Sequence, residues 1–244
     1  MQEKNSNLCI IVPCHNESGC IAGVISDLRA YFPAATVVIV NDASTDDTEK
    51  VIRAAAEPNL VLLSLPTNLG IGGAVQTGLR YAADNGFGTA VKFDGDGQHR
   101  ADEIGCLLAP VKSGEADLAI GSRFLGGKHG FKSTFMRRMG IRIFRWLSRI
   151  LTGQLVTDNT SGFRAYNRRA LEFAARHYPS FDYPEPEEVI LFLHNGYRIT
   201  EVAVEMAERK GGKSSINQFK AVYYMIKVIF AVFMAAIRPK IESA

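Results

Sequence analysis

The chain has 244 residues, 47% hydrophobic and 22% charged, with a formal net charge of +3. That balance excludes a disordered chain and a general polyanion binder, so no nucleic acid is expected as a partner, and it supplies enough apolar side chains for one large core or two small ones. Cys9, Cys14, Cys20 and Cys106 form no CxxC pair and no zinc pattern, so they read as reduced thiols. The polar N-terminus runs into an apolar stretch too short for a secretory signal, and a cytoplasmic location is expected.

Strand and helix signals alternate through the first half. Leu8–Val12, Thr36–Val40, Leu60–Leu65 and Thr89–Phe93 are short runs rich in Val, Ile and Leu, the pattern of buried strands. Between them Ser18–Ala30, Thr45–Ala56 and Gly70–Ala83 have helical spacing. This alternation predicts an α/β fold with a mostly parallel sheet and right-handed crossovers. Asp117–Ile120 and Ile199–Val204 read as later strands and Asp158–Tyr166 as a polar segment. Thr134–Leu151, Tyr183–His194 and Ser214–Ile237 read as helices. No repeat or low-complexity linker divides the chain. The expected organisation is one catalytic domain, 1–215, followed by an amphipathic helical tail, 216–244.

Ligands of such sheets sit beyond the C-terminal strand ends. Pro13–Glu17, Asn41–Asp46 and Asp94–His99 each follow a predicted strand, so three polar clusters should meet on one edge. Asp94-Gly95-Asp96 places two carboxylates two residues apart directly after an apolar strand. Mg²⁺ or Mn²⁺ suits such oxygen ligands and leaves positions for a diphosphate, with Gln98 able to add or orient a ligand. The plainer alternative is an Asp/Gly turn. An EF-hand is excluded because His99 and Arg100 follow, and a DxDxT phosphatase because Gln98 replaces Thr. Asp42 and Asp46 suit a ribose or base, or else the cap of the next helix. Asn68–Ala74 lacks the Lys-Ser/Thr of a P-loop and reads as a loop packed near the nucleotide.

With IVPCHNE, VNDASTDDT, TNLGIGGA, DGDGQH, GSRF, TSGFRAY and a terminal Gly-Lys-Ser-Ser in order, residues 8–215 resemble glycosyltransferase family two, and more narrowly its dolichol- and polyprenyl-phosphate sugar synthases. The resemblance implies a GT-A fold. It implies that Pro13, Asn16, Glu17 and Asp42 line the nucleotide pocket, and that Asp94, Asp96 and Gln98 meet the metal and diphosphate. It further implies that Arg123, Arg138 and Arg209 hold the donor diphosphate or acceptor phosphate, with Arg164 and Glu187 near the acceptor. Asn41 stands where the family usually has Asp, and Thr67 where a basic residue often precedes Asn-x-Gly.

Between Leu118 and Thr157 there is no acidic residue, while Arg138, Arg142, Arg145 and Arg149 recur at spacings of four, three and four. With Trp146 and neighbouring apolar residues, this forms a basic amphipathic helix suited to an anionic membrane interface, or a core helix with solvated arginines. Phe219, Tyr223, Ile226, Phe230, Phe233 and Met234 give the tail a similar stripe, for a membrane surface, a small membrane-protein partner, or the core. The expected protein is therefore a peripheral enzyme on the inner face of the cell membrane, working in cell-envelope glycan synthesis. It would carry a hexose from a UDP- or GDP-sugar to a polyprenyl phosphate by inverting displacement. A saccharide hydroxyl is the rival acceptor and would need Glu187 or Glu188 as base. A nucleotidyltransferase would want a Gly-rich basic signature after the first strand, which Pro13–Glu17 lacks; a noncatalytic nucleotide-sugar-binding scaffold would not hydrolyse donor.

Overall fold

The computed structural model describes residues 7–125, 135–179, 182–207 and 218–241. Seven strands form one sheet: β1 (Leu8–Cys14), β2 (Thr36–Asn41), β3 (Leu60–Ser64), β4 (Thr89–Lys92), β5 (Leu118–Ser122), β6 (Arg164–Asn167) and β7 (Ile199–Ala203). Their order is β3-β2-β1-β4-β6-β5-β7. The first four are mutually parallel, β6 runs antiparallel to both neighbours, and β5 pairs parallel with β7. The expected mostly parallel sheet is present. Among the described strands the pairing reverses only around β6, which overlaps the end of what the sequence marked as a polar segment.

Eight α-helices are described: α1 (Ile21–Tyr31), α2 (Thr48–Ala55), α3 (Gly70–Asp84), α4 (Ile104–Lys112), α5 (Phe135–Thr152), α6 (Arg168–His177), α7 (Glu185–His194) and α8 (Gln218–Ile237). Because helices cover both faces, every residue of β1 is buried, and its side chains feed two cores alternately. Cys9 and Ile11 join Val75 and Leu79 of α3 and Leu171 of α6. Ile10 and Val12 join Ile21, Val24 and Leu28 of α1 and Leu107 of α4. At Gly78 a Cβ would lie 2.2 Å from Ile11 Cγ2, so glycine there lets α3 press onto β1.

A third, smaller core lies off the sheet, where Phe144 of α5, Ile190 of α7 and Val228, Val232 and Ala235 of α8 pack together. The end of α8 is tied to the end of α7: His194 Nε2 lies 2.8 Å from the Arg238 carbonyl, and Ile241 N–H donates to Asn195 at 2.7 Å. Residues 214–217 of the expected tail helix lie outside the described residues. Among the described residues no helix is long and apolar enough to cross a membrane.

Candidate active site

The C-terminal ends of β1, β2 and β4 lie side by side, so the loops after them share one edge. Asn16 and Ala43 adopt positive φ angles of 58° and 52°, which turn the first two loops toward each other. Asn16 Oδ1 accepts the N–H groups of Thr45 at 2.8 Å and Asp46 at 3.3 Å, while its own N–H donates to Ser44 at 2.9 Å. Asp46 accepts from the N–H of Thr48 at 3.0 Å and of Ser18 at 3.2 Å. Desolvation opposes its ionisation, but the Thr48 hydroxyl, which also donates to Asp46, and those N–H groups win and hold its pKa at about 2. Asp42 is nearly buried and accepts Leu69 N–H at 2.7 Å; His15 Nδ1 lies 2.7 Å from the Asp42 carbonyl, to which Asn68 also donates. Glu17 N–H donates to Thr48 Oγ1 at 2.8 Å, and Pro13 is buried inside β1. The polar residues after β1 and β2 thus form one network, with the Asn68 loop drawn into it.

Asp94 and Asp96 follow β4, both half-buried. Asp96 Oδ1 accepts Gln98 N–H at 3.0 Å, which folds the loop back on itself. Asp94 N–H donates to His99 Nδ1 at 2.9 Å, so the neutral ring carries its proton on Nε2, 3.4 Å from Asp94 Oδ2. His99 is stacked on Phe163 with centroids 4.6 Å apart, and burial pushes its pKa down. The loop is pinned from outside by Ala207 N–H, which donates to the Gln98 carbonyl at 2.8 Å. Gly162 faces Asp94: a Cβ there would come within 2.9 Å of Asp94 Oδ2 and 3.4 Å of Lys92 Nζ.

Two carboxylates and an open cradle fit Mg²⁺ or Mn²⁺, which take one or two protein carboxylates and complete their shell with phosphate and water. Among the described residues no group of three or more His, Cys, Asp or Glu is placed to hold a metal ion, so Asp94 and Asp96 would supply only part of a coordination shell. Burial opposes ionisation of Asp94, but the Nε2–H of His99 and the charges of Lys92, Arg123 and Arg164 outweigh it and hold its pKa below the ordinary carboxylate value.

Beneath Asp94 lies a layer of buried charge. Lys92 and Arg164 face each other across the β4–β6 pairing, and both are 0% exposed. Like charges in that position repel, and the first turn of α7 answers each of them. Lys92 Nζ pairs with Glu185 at 2.6 Å and Arg164 with Glu188 at 2.6 Å. Tyr166 donates to the other Glu188 oxygen at 2.9 Å, and Arg164 also donates to the Ser161 and Glu185 carbonyls.

With this geometry in place, the comparisons with known proteins decide the family. The sequence model of Glycosyl transferase family 2 matches residues 9–173. The chain is a family 2 glycosyltransferase. An undecaprenyl-phosphate mannosyltransferase of Micrococcus luteus is 32% identical over 212 residues, covering 85% of this chain and 86% of that protein. Polyprenol monophosphomannose synthase of Mycolicibacterium smegmatis is 28% identical, covering 90% and 84%. A crystal structure of glucosyl-3-phosphoglycerate synthase from Mycobacterium tuberculosis, in complex with Mn²⁺, UDP and phosphoglyceric acid, matches with a TM-score of 0.72 at 20% identity. It covers 96% of this chain and 79% of its own, and establishes the shared GT-A fold.

The arginines expected in this glycosyltransferase are placed unequally. Arg123 forms a bidentate pair with the buried Asp158 at 2.6 and 2.7 Å and donates to Thr160, which packs it beside the acidic pair. Arg164, expected near the acceptor, lies beneath Asp94 rather than at the surface. Its guanidinium is wholly enclosed, because β6 points it down into the α7 carboxylates. Arg138 falls in α5, with its side chain outside the described residues, as is all of Arg209. Glu187 is buried on the same turn of α7 as Glu185 and Glu188. Glu188, weighed as a base for a hydroxyl acceptor, is instead enclosed by Arg164 and Tyr166. Sequence reasoning passed over Lys92, Glu185, His99 and Asp158. Lys92 did carry a signal, a lone charge inside the apolar run Ala90–Phe93.

Beside the site, α5 and α8 turn apolar side chains outward. Trp146 is 63% and Ile150 59% exposed on α5, next to exposed Arg142 and Arg149. On α8 the stripe is Phe230, Phe233, Met234 and Ile237, with Phe230 66% exposed, followed by exposed Arg238 and Lys240.

Proposed function

We propose that this glycosyltransferase moves a hexose from a UDP- or GDP-sugar to a polyprenyl phosphate, working on the inner surface of the cell membrane in cell-envelope glycan synthesis. The observation that carries the reading is the placement of Asp94 and Asp96 at one sheet edge, between the Asn16–Asp42 network and the acidic first turn of α7. The loops after β1 and β2 would bind the nucleoside, with the Asn16 and Asp46 hydrogen bonds keeping them in shape. Asp94 and Asp96 would hold Mg²⁺ or Mn²⁺, with Gln98 orienting Asp96. Bound there, the cation would neutralise charge developing on the departing nucleoside diphosphate. The His99 ring orients Asp94 by accepting its backbone N–H on Nδ1 and facing its carboxylate with Nε2, and Arg123, fixed by Asp158, adds positive charge beside the leaving group.

A lipid phosphate supports this assignment on chemical grounds, because it arrives ionised and needs little help from a base. Glu185 and Glu188 are held in buried ion pairs. The exposed apolar stripes of α5 and α8, flanked by Arg142, Arg149, Arg238 and Lys240, have the composition of an interfacial surface on an anionic membrane.

The test is a donor-by-acceptor matrix: purified protein with Mn²⁺ or Mg²⁺, UDP- and GDP-sugars, and either short polyprenyl phosphate or a saccharide. Nucleoside diphosphate release that requires the lipid supports the reading. Release that requires only the saccharide moves the acceptor to a hydroxyl, which would turn attention to Glu187.

A further inference from the structure

Four fully or largely buried charges, Lys92, Arg164, Glu185 and Glu188, sit under the acidic pair, and no step proposed above uses them. Two cations facing each other across β4–β6 is an unfavourable arrangement, and a divalent cation bound to Asp94 would make it worse. The cluster is arranged so that this cost is offset from one place. Glu185 and Glu188 are three residues apart on the first turn of α7, hence on one face, and each meets one cation at 2.6 Å. Lys92 also lies near Asp94. Its Nζ lies 3.4 Å, and an Asp94 oxygen 2.9 Å, from the same point in the space left open at Gly162. The ammonium is therefore paired with a carboxylate of α7 while lying near a carboxylate that would bind metal.

From this arrangement we infer that Glu185 is a positioning residue for the metal site: by holding Lys92 it keeps that ammonium from neutralising Asp94, and so keeps Asp94 available to a divalent cation. The inference rests on the assignment of Asp94 as a metal ligand. It has a direction that a purely structural role lacks. Removing the charge of Glu185 releases Lys92 toward Asp94 and weakens metal binding. Removing Lys92 takes away a competing cation and does not weaken it. Removing both restores a neutral layer. The same pairing ties α7, on which Glu187 stands, to the end of β4, so metal loading and the placement of the acceptor-side helix share one cation.

The experiment measures Mn²⁺ binding calorimetrically to the full chain in the presence of UDP or GDP, with thermal melting of each variant as a control for folding. Glu185→Gln should bind Mn²⁺ at least about tenfold more weakly, a threshold set well below the full Coulomb cost of one uncompensated charge a few ångströms from a divalent cation, because the released ammonium can move and be partly screened. Lys92→Met should bind at least as tightly as the unaltered protein, and Lys92→Met with Glu185→Gln should return to within about threefold of it. Unchanged affinity in Glu185→Gln overturns the inference. So does a double variant as weak as Glu185→Gln, or a folded Lys92→Met with weakened binding. Failure of the unaltered protein to bind Mn²⁺ with either nucleotide would instead remove the metal assignment, a separate result.

Discussion

At the scale of single residues, the site is organised around Asp94. Asp96→Ala should lower turnover at least about a hundredfold, the scale associated with losing a metal-site group, while leaving the melting temperature nearly unchanged because the side chain is half-buried at a loop. Gly162→Ala is a finer probe. Its new methyl would meet Asp94 Oδ2 at 2.9 Å, and the cheapest relief is rotation of that carboxylate. The expected result is a higher Mn²⁺ requirement with little loss of stability, read from a metal titration beside a melting curve. Asp46 gives a pH prediction. Its folded pKa, about 2, lies below its ordinary value of 3.8, so its contribution is fully present above the ordinary value and is lost as pH falls through 2. Asp46→Ala should cost about 1 kcal/mol at neutral pH by loss of its two backbone hydrogen bonds, and the difference should close between about pH 4 and pH 2 in denaturant melts.

At the scale of elements, the sequence spoke clearly wherever burial was apolar. The first four strands were legible because β1, β2 and β4 are covered on both faces and β3 lies beside them, which writes short unbroken runs of Val, Ile and Leu. The helices α1, α2 and α3, and the position of Asp94 and Asp96 directly after β4, were legible for similar reasons of period and position. What escaped notice was structure built from charge. The strand β6 begins with Arg164 and contains Tyr166, both fully buried, and a one-dimensional reading takes such residues for surface. Their partners, Glu185 and Glu188, are about twenty residues away and announce nothing by spacing. The helix α4 was hidden by Gly105 and Pro110, and α6 by the paired Arg168 and Arg169 at its start. Because breaking a buried pair strands the remaining charge, Glu188→Gln should destabilise the fold by about 3–5 kcal/mol, a fall of roughly 10 °C in melting temperature, whereas the exposed Arg53–Glu49 pair should be worth little. The helices α5 and α8 were foreseen as amphipathic, and the structure divides their apolar residues between the two alternatives. Phe144, Val228 and Val232 face the third core, while Trp146, Phe230 and Phe233 face outward. Replacing Phe230 and Phe233 by Ala should therefore leave stability unchanged and weaken binding to vesicles containing anionic lipid by roughly ten- to a hundredfold, measured by sedimentation.

At the scale of the whole molecule, the parallel half of the sheet presents the loops proposed to bind the nucleotide, the β4–β6 junction carries the acidic pair over its buried charges, and α5, α7 and α8 form the flank where an acceptor would approach. A soluble acceptor gives no physical reason to leave Trp146, Ile150 and the α8 stripe uncovered, and a lipid-linked one does. The most direct test of the central claim is the mass of the lipid product. Purified protein with Mn²⁺, a UDP- or GDP-hexose and short-chain polyprenyl phosphate is expected to yield polyprenyl phosphate heavier by one hexosyl group, lost on chelation and absent with Asp96→Ala. Metal-dependent consumption of donor that leaves the lipid mass unchanged, with the hexose appearing instead on an added saccharide, would contradict it.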